Sequence, residues 1–315
     1  MTRGYVVTGG ETLGLYTATR IGEVHLGDGY RFSIGGTETN VAIGLSRLGT
    51  PTVWIGRVGD DDTGRVIART LRGEGVDARV TVDSAAPTAI MTRARRLPGR
   101  SSVAYFRAGS AGSRLNPTDI PDDLVQDAAL VHVTGVTPAL SATAAAAVTH
   151  LVRLANEASV PVSFDINYRA RLWEADQAVP VLREVAAHAD IILAGSDEAE
   201  LLTGHRDLAG QLDALAALGP TQIVVKRAAD GATARVDGVE VEAPGIPIAA
   251  VDTVGAGDAF AAGYLHALLT GAAPRQRLEL ANRVAAFVCS AEGDWEGLPL
   301  PHELPLLESA EPVTR

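Results

Sequence analysis

Leu130-Val-His-Val133, then Ser141-Ala-Thr-Ala-Ala-Ala-Ala-Val-Thr-His-Leu-Val-Arg-Leu-Ala155, then Val160-Pro-Val-Ser-Phe164 stand in succession at the middle of the chain. The two short β-branched runs read as strands, and the alanine-rich segment between them places Val148, Leu151, Val152 and Ala155 at helical spacing. Pro161 closes the connection into the second strand. A strand, a helix and a strand in this order imply a parallel pair with one face of the helix laid on the sheet. Working outward, similar runs recur at 5–8, 52–55, 191–193 and 222–225, each with room for a helix or a longer insertion before the next. The fold class is therefore α/β, with a central, mostly parallel sheet flanked by helices.

Two regions break this rhythm, about 9–34 and about 89–115, where Gly, Thr, Arg and Tyr are scattered without a helical period. Each leaves a core element and returns to one, so both are expected to project from one edge and form a small antiparallel β lid. Ala232-Thr-Ala-Arg-Val236, Asp237-Gly238 and Val239-Glu-Val241 predict a hairpin, with Asp-Gly supplying the positive φ of a tight turn. The tail 299–315, with its prolines and charges, is expected to be irregular. No internal repeat is visible, and residues 1–315 read as a single domain carrying that lid.

The chain has 315 residues, 46% of them hydrophobic, which suffices for a substantial core. Its formal net charge of −11 disfavours nucleic acid and anionic membrane surfaces as partners. One small anionic ligand stays open, because a few arginines or a helix N-terminus can hold a phosphate or a carboxylate whatever the global charge. The single cysteine, Cys289, lies in an apolar run, so it reads as a buried structural thiol, with no intrachain disulfide and no cysteine metal cage. The seven histidines have no metal-ligand spacing. Met1-Thr-Arg-Gly4 runs directly into a strand without an apolar leader, and no apolar stretch has the length of a membrane span, so a soluble, cytoplasmic protein is expected.

Chemistry concentrates in Asp252-Thr-Val-Gly255-Ala-Gly257-Asp258-Ala-Phe-Ala-Ala-Gly263-Tyr-Leu-His-Ala-Leu-Leu269, a glycine-rich turn opening into an apolar helix. Gly255, Ala256 and Gly257 leave their N–H groups unobstructed, and the helix dipole adds positive potential at that end. A carboxylate beside a bound phosphate is repelled unless a metal ion or a proton-transfer role compensates, so Asp258 suggests phosphoryl transfer. Taken alone, the same residues also suit an ordinary capped helix. The P-loop pattern G-x-x-x-x-G-K-[ST] is absent, and Phe260 stands where a dinucleotide fingerprint needs its third glycine. A second motif, Gly35-Gly36-Thr-Glu-Thr-Asn40-Val-Ala-Ile-Gly-Leu-Ser-Arg-Leu-Gly49, pairs glycines that admit a polyol with an amide able to bond its hydroxyls. This too, alone, suits a helix start.

Together, in this order and separation, Gly35-Gly36…Asn40…Gly49 and Asp252-Thr-Val-Gly-Ala-Gly-Asp258 resemble the two signatures of the ribokinase-like (PfkB) carbohydrate kinases, and the resemblance spans almost the whole chain. It implies a large α/β domain with a small β lid, ATP and Mg²⁺ as cofactors, and Asp258 accepting the proton of the attacking hydroxyl. Gly255, Ala256 and Gly257 would stabilise the transferred phosphoryl group. A carboxylate of ordinary pKa near 4 acts late in such a loose transition state, so alignment and electrostatics carry much of the acceleration. The resemblance further implies an ATP site with Lys226, Gly231, Gly255, Gly257 and Asn282, a Mg²⁺ and water role for Glu198, and a monovalent-cation loop at Asp252 and Thr253, which leaves potassium dependence open. Ala228 departs from the usual glycine of the nucleotide loop, and Gly195 from the Asn of an N-x-x-E motif, which weakens the Glu198 assignment.

Val103-Ala-Tyr105-Phe-Arg107-Ala-Gly-Ser and Asp165-Ile-Asn167-Tyr168-Arg169-Ala-Arg171 resemble 2-keto-3-deoxygluconate kinases in particular. The implied sugar site is Gly35, Gly36, Asn40, Tyr105, Arg107, Asp165, Arg169 and Asp258, with Arg107 and Arg169 as cations for an acid sugar. The bland alternative is that these arginines make surface salt bridges. Fructokinases share the Asp-x-Asn-x-Arg pattern and are the main competitor. A nucleoside kinase is disfavoured because no aromatic pair near the first motif is suited to stacking a base, and a non-catalytic sugar sensor is disfavoured by the retained Asp258. A homo-oligomer formed through the lid is expected from the apolar residues it would expose.

Overall fold

In the computed structural model, which describes residues 4–97 and 100–308, strands and helices alternate as the periodicities require. Residues 1–3, 98–99 and 309–315 lie outside the described residues, and with them the far end of the expected irregular tail. The N-terminal part gives β1 (Val6–Gly9), β2 (Leu13–Ile21), β3 (Tyr30–Gly35), α1 (Thr37–Arg47), β4 (Thr52–Gly59), α2 (Asp62–Gly73), β5 (Asp77–Asp83), β6 (Ile90–Leu97) and β7 (Arg100–Phe106). The middle adds α3 (Asp123–Gln126), β8 (Leu130–Thr134), α4 (Ala142–Glu157), β9 (Val162–Asp165), α5 (Ala175–Ala186), β10 (Ile191–Gly195), α6 (Ser196–Thr203) and α7 (Leu208–Ala216). The chain continues through β11 (Gln222–Lys226), β12 (Ala232–Val236), β13 (Val239–Ala243), α8 (Ala256–Leu269) and α9 (Pro274–Cys289).

The main sheet has nine strands in the order β13-β12-β11-β10-β9-β8-β1-β4-β5. It is parallel from β5 to β11 and ends in the antiparallel hairpin β12–β13, whose turn residues Asp237 and Gly238 have φ of 49° and 81°. Ser141 caps α4 by accepting a hydrogen bond from the Ala144 N–H at 3.0 Å, and Val148, Leu151, Val152 and Ala155 are buried in the core beside Val131, Val133 and Phe164. A second core cluster packs Phe260, Tyr264 and Leu265 of α8 and Leu278 and Ala281 of α9 against Leu193 and Val224. Covered on both faces, the central strands are almost wholly buried. Strand β5, at the sheet edge, was not among the expected runs: it alternates charged and apolar residues because it is half exposed.

Both irregular regions enter one four-stranded sheet of order β3-β2-β6-β7. It is mixed rather than antiparallel, since its two hairpins, β2–β3 and β6–β7, join along a parallel β2–β6 pair. The reason lies in the main sheet: β1 and β5 run the same way, and the chain leaves both at their C-terminal ends, so the strands that follow also run the same way. Register places Leu15, Met91 and Tyr105 in one row and Thr17, Arg93 and Val103 in the next row of the same face. Leu13, Leu15, Ala89 and Met91 form a buried apolar patch on this sheet. The alternating positions Tyr30, Phe32 and Phe106 are exposed.

Candidate active site

The glycine-rich turn is shaped by a segment the sequence did not single out. Gly255 has φ of 78°, and a Cβ there would lie 1.9 Å from the Asp294 carbonyl oxygen, so only glycine fits. A Cβ on Gly35 would come 2.5 Å from Asp294 Oδ2, and one on Gly36 would come 2.4 Å from the Glu11 carbonyl oxygen. Both glycine motifs are thus pressed together over Asp294. Helix α8 starts at Ala256 without a side-chain cap, leaving first-turn N–H groups free of intrahelical acceptors. Ala256 and Gly257 line a cleft of about 1340 Å³ that opens beyond the C-terminal ends of β9, β10 and β11, the usual position for a ligand in an open α/β sheet.

Asp258 stands in the first turn of α8 and is buried. Thr37 Oγ1 donates to its Oδ1, Asn40 Nδ2 donates to its Oδ2 at 2.8 Å, and Asn167 Nδ2 lies 3.4 Å from Oδ1 and donates to Thr37 Oγ1 at 2.7 Å. Burial pushes the Asp258 carboxyl up to about 6, against the hydrogen bonds from Thr37 and Asn40 and the nearby Arg169 charge. The ordinary pKa assumed from sequence is therefore corrected: Asp258 is a better proton acceptor than a free carboxylate and is still largely ionised at neutral pH.

Of the expected nucleotide residues, Lys226, Gly231, Gly257 and Asn282 line the same cleft on the other side of the turn and Gly255 does not; Thr253, expected in a cation loop, lines it too. Asn282 Nδ2 donates to the Ala243 and Pro244 carbonyls at 3.2 and 2.9 Å, while Gly231, at φ 87°, leaves no room for a Cβ against Ala243 O at 2.2 Å. Ala228, in place of the family's glycine, sits at φ 50°, a left-handed conformation that costs a non-glycine residue about 1–2 kcal/mol. Glu198 accepts from the backbone N–H of Tyr168 at 3.0 Å and of Gly195 at 2.7 Å, so position 195 contributes its backbone where an Asn side chain was expected. Cys289, expected as a buried thiol, is partly exposed and lines the cleft.

Several expected ligand groups are paired within the chain. The Asp165 carboxylate, 1% exposed, takes the Lys226 ammonium at 2.8 Å to both oxygens. Arg107 Nε donates to buried Glu11 at 2.7 Å, Ser110 Oγ donates to the other Glu11 oxygen at 2.9 Å, and the Arg107 guanidinium lies 5.3 Å from the Tyr105 ring centroid. Asp252 is bound by Arg93 at 2.6 and 3.0 Å. Arg169, in contrast, lines the cleft, is exposed, and makes no ion pair among the described residues.

Thr37, Asn167 and Asp294 were missed as site residues. Asn167 has φ of 40°, and its neighbours Asp165 and Arg169 had drawn attention, but its contact with Asp258 spans 91 positions. Asp294 is buried with Oδ1 unpartnered; burial first, then the charges of Asp258 and Glu296, push it up to about 7. Its sequence signal, Gly293-Asp294 just after α9, reads as an ordinary turn.

The model of the pfkB family carbohydrate kinases matches residues 4–301. The chain is 34% identical over 310 residues to the 2-dehydro-3-deoxygluconokinase of Bacillus subtilis (strain 168), covering 97% of this chain and 95% of that one. It is 37% identical over 275 residues to the 2-dehydro-3-deoxygluconokinase of Thermoproteus tenax, covering 86% and 83%. Among solved structures, the PfkB protein from Polaromonas sp. JS666 superposes with a TM-score of 0.88 at 33% identity, covering 95% of this chain and 98% of that one.

Because the folded pKa of Asp294 lies above that of a free carboxylate, its contribution to stability is full below about pH 4 and is lost as pH rises through about 7. Asp294→Asn, which does not ionise, should therefore gain on the wild type between pH 5 and pH 8. The melting-temperature difference is expected to widen by about 2 °C or more. A difference independent of pH would mean that Asp294 does not carry this cost.

Proposed function

Since the chain belongs to the pfkB family of carbohydrate kinases, we propose that it transfers the γ-phosphoryl group of ATP to a hydroxyl of 2-keto-3-deoxygluconate. The observation that carries the reading is the buried Asp258 carboxylate, held by Thr37 and Asn40 in the first turn of α8 and raised to about 6. Two curated relatives at 34% and 37% identity carry the name of that kinase under its synonym, 2-dehydro-3-deoxygluconokinase.

In this mechanism the sugar lies against Gly35, Gly36 and Asn40, and its attacking hydroxyl gives its proton to Asp258 as charge develops on the oxygen. The free N–H groups of Gly257 and the start of α8, with the helix dipole, stabilise the transferred group. Ala256 adds its small side chain to this wall and leaves the approach open. Lys226, Gly231 and Asn282 hold the nucleotide side. Mg²⁺ bound together with ATP would neutralise phosphate charge, and Glu198, which lines the cleft, is the residue that would help to hold it through water. Arg169, free of an acidic partner, takes the sugar carboxylate, aided by the Arg107 N–H groups that Glu11 leaves unused and by Tyr105. Potassium is not part of this reading. ATP as donor sets the reaction in the cytoplasm, and no described helix is long and apolar enough to cross a membrane. In this reading the chain forms a homodimer through the outer face of the small sheet, a reading supported by the exposed Tyr30, Phe32 and Phe106.

ATP turnover against 2-keto-3-deoxygluconate, fructose, ribose and adenosine tests the reading, with Asp258→Asn beside the wild type. We expect preference for the keto acid and a loss of roughly 10²–10⁴-fold in the variant. Preference for a neutral sugar would sink the Arg169 and Arg107 argument, and no turnover on any acceptor would sink the reading as a whole. The kcat/KM of the wild type should fall as pH drops through about 6, where protonated Asp258 can no longer accept. Sedimentation should show a dimer that Phe32→Asp and Phe106→Asp weaken; a concentration-independent monomer dismisses the dimer.

A further inference from the structure

The family resemblance implies a monovalent cation at the turn carrying Asp252 and Thr253, and the residues present do not fit one. Asp252 Oδ2 accepts from Arg93 Nη1 at 2.6 Å, and its Oδ1 accepts from Arg93 Nη2 at 3.0 Å and from the Val254 N–H at 3.3 Å. The Gly293 N–H also donates to this carboxylate. Its lone pairs therefore face N–H donors on every side, and the pair is secluded, with 15% of the Arg93 side chain and 9% of the Asp252 side chain exposed. Arg93 is itself anchored, its Nε donating to Ser101 Oγ across the β6–β7 hairpin at 3.1 Å.

We infer that the Arg93 guanidinium stands where a cation would, so that the anion-binding turn of this enzyme is charge-balanced from within and phosphoryl transfer does not respond to potassium. The inference rests on the phosphoryl-transfer reading of that turn. A secluded carboxylate requires a counter-charge. A planar fork on a β-strand supplies a permanent one that meets both oxygens at once and does not exchange with the salt of the medium. Arg93 comes from the small sheet and Asp252 from the approach to α8, so one ion pair also fixes that sheet to the turn. A second charge contact runs alongside: Arg95 of the same strand meets Glu292, next to Gly293, at 2.7 Å. Arg93 is thus a positioning residue, acting on the turn through Asp252.

The test compares the wild type in KCl, NaCl and tetramethylammonium chloride at equal ionic strength, reading both the melting temperature of the free protein and the rate of phosphoryl transfer. Both should be the same in the three salts, within about 20% for the rate. A melting temperature raised by potassium alone, or a severalfold potassium activation, would overturn the inference. Arg93→Ala should lose tenfold or more in rate and gain a potassium response that tetramethylammonium does not give; a salt-independent variant would remove Arg93 from the cation's place. If that variant does not fold, Arg93→Lys, with one charge and no fork, should fold with a reduced rate and no potassium response, and a potassium response in it would count against the inference. The melting readout needs no acceptor, so failure of every sugar as substrate counts against the proposed function, whereas a potassium-specific shift counts against Arg93.

Discussion

A carboxylate must be kept out of water and yet remain able to ionise, and the rest of the molecule answers to that demand. Asp258 meets it with hydrogen bonds from Thr37 and Asn40 at the start of α1, while Asn167, just past β9, braces Thr37. These groups are far apart in the chain and meet only where the parallel strands end and α1 and α8 begin side by side. Gly35, Gly36 and Gly255 are the spatial cost of that meeting, because each has backbone or a buried carboxylate where a side chain would go. The neighbouring Asp294 adds a second secluded carboxyl without a donor. The region is thus less stable than an apolar filling would be, a recurring property of sites that do chemistry.

The charges around this centre are largely balanced inside the protein. Lys226 meets Asp165, Arg107 meets Glu11, and Arg93 meets Asp252. Of these three cations Lys226 lines the cleft, together with the exposed Arg169, so a chain of net charge −11 still places positive charge there. Specificity then rests on geometry. An arginine already fastened at Nε loses less freedom when it takes a ligand than one that is free on the surface.

The parts of the architecture set by nearby residues were legible in the sequence. Most strands of the main sheet, helix α4 and the Asp237-Gly238 hairpin declare themselves through short local patterns, and Asp258 draws attention through the glycines before it. Strand β5 was hidden because an edge strand alternates charged and apolar residues and so carries no apolar run. Thr37, Asn167 and Asp294 were hidden because their importance arises from contacts across the fold, where a Thr, an Asn or a Gly-Asp turn has no distinguishing local pattern. The raised pKa of Asp258 was unreadable for the same reason, since burial belongs to the folded molecule. Arg107 shows the converse limit: the sequence identifies a cation, and only the fold shows the acid it has been given.

The small sheet is made of two hairpins whose inner strands pair in parallel, Gly14 beside Ile90 and Thr17 beside Arg93. That pairing spans 76 positions, and its loop-closure entropy is met only once β1, β4 and β5 have aligned and brought the hairpins together. Each hairpin alone is a two-stranded ribbon of marginal stability in water. The small sheet therefore depends on the alignment of the main sheet for its own assembly.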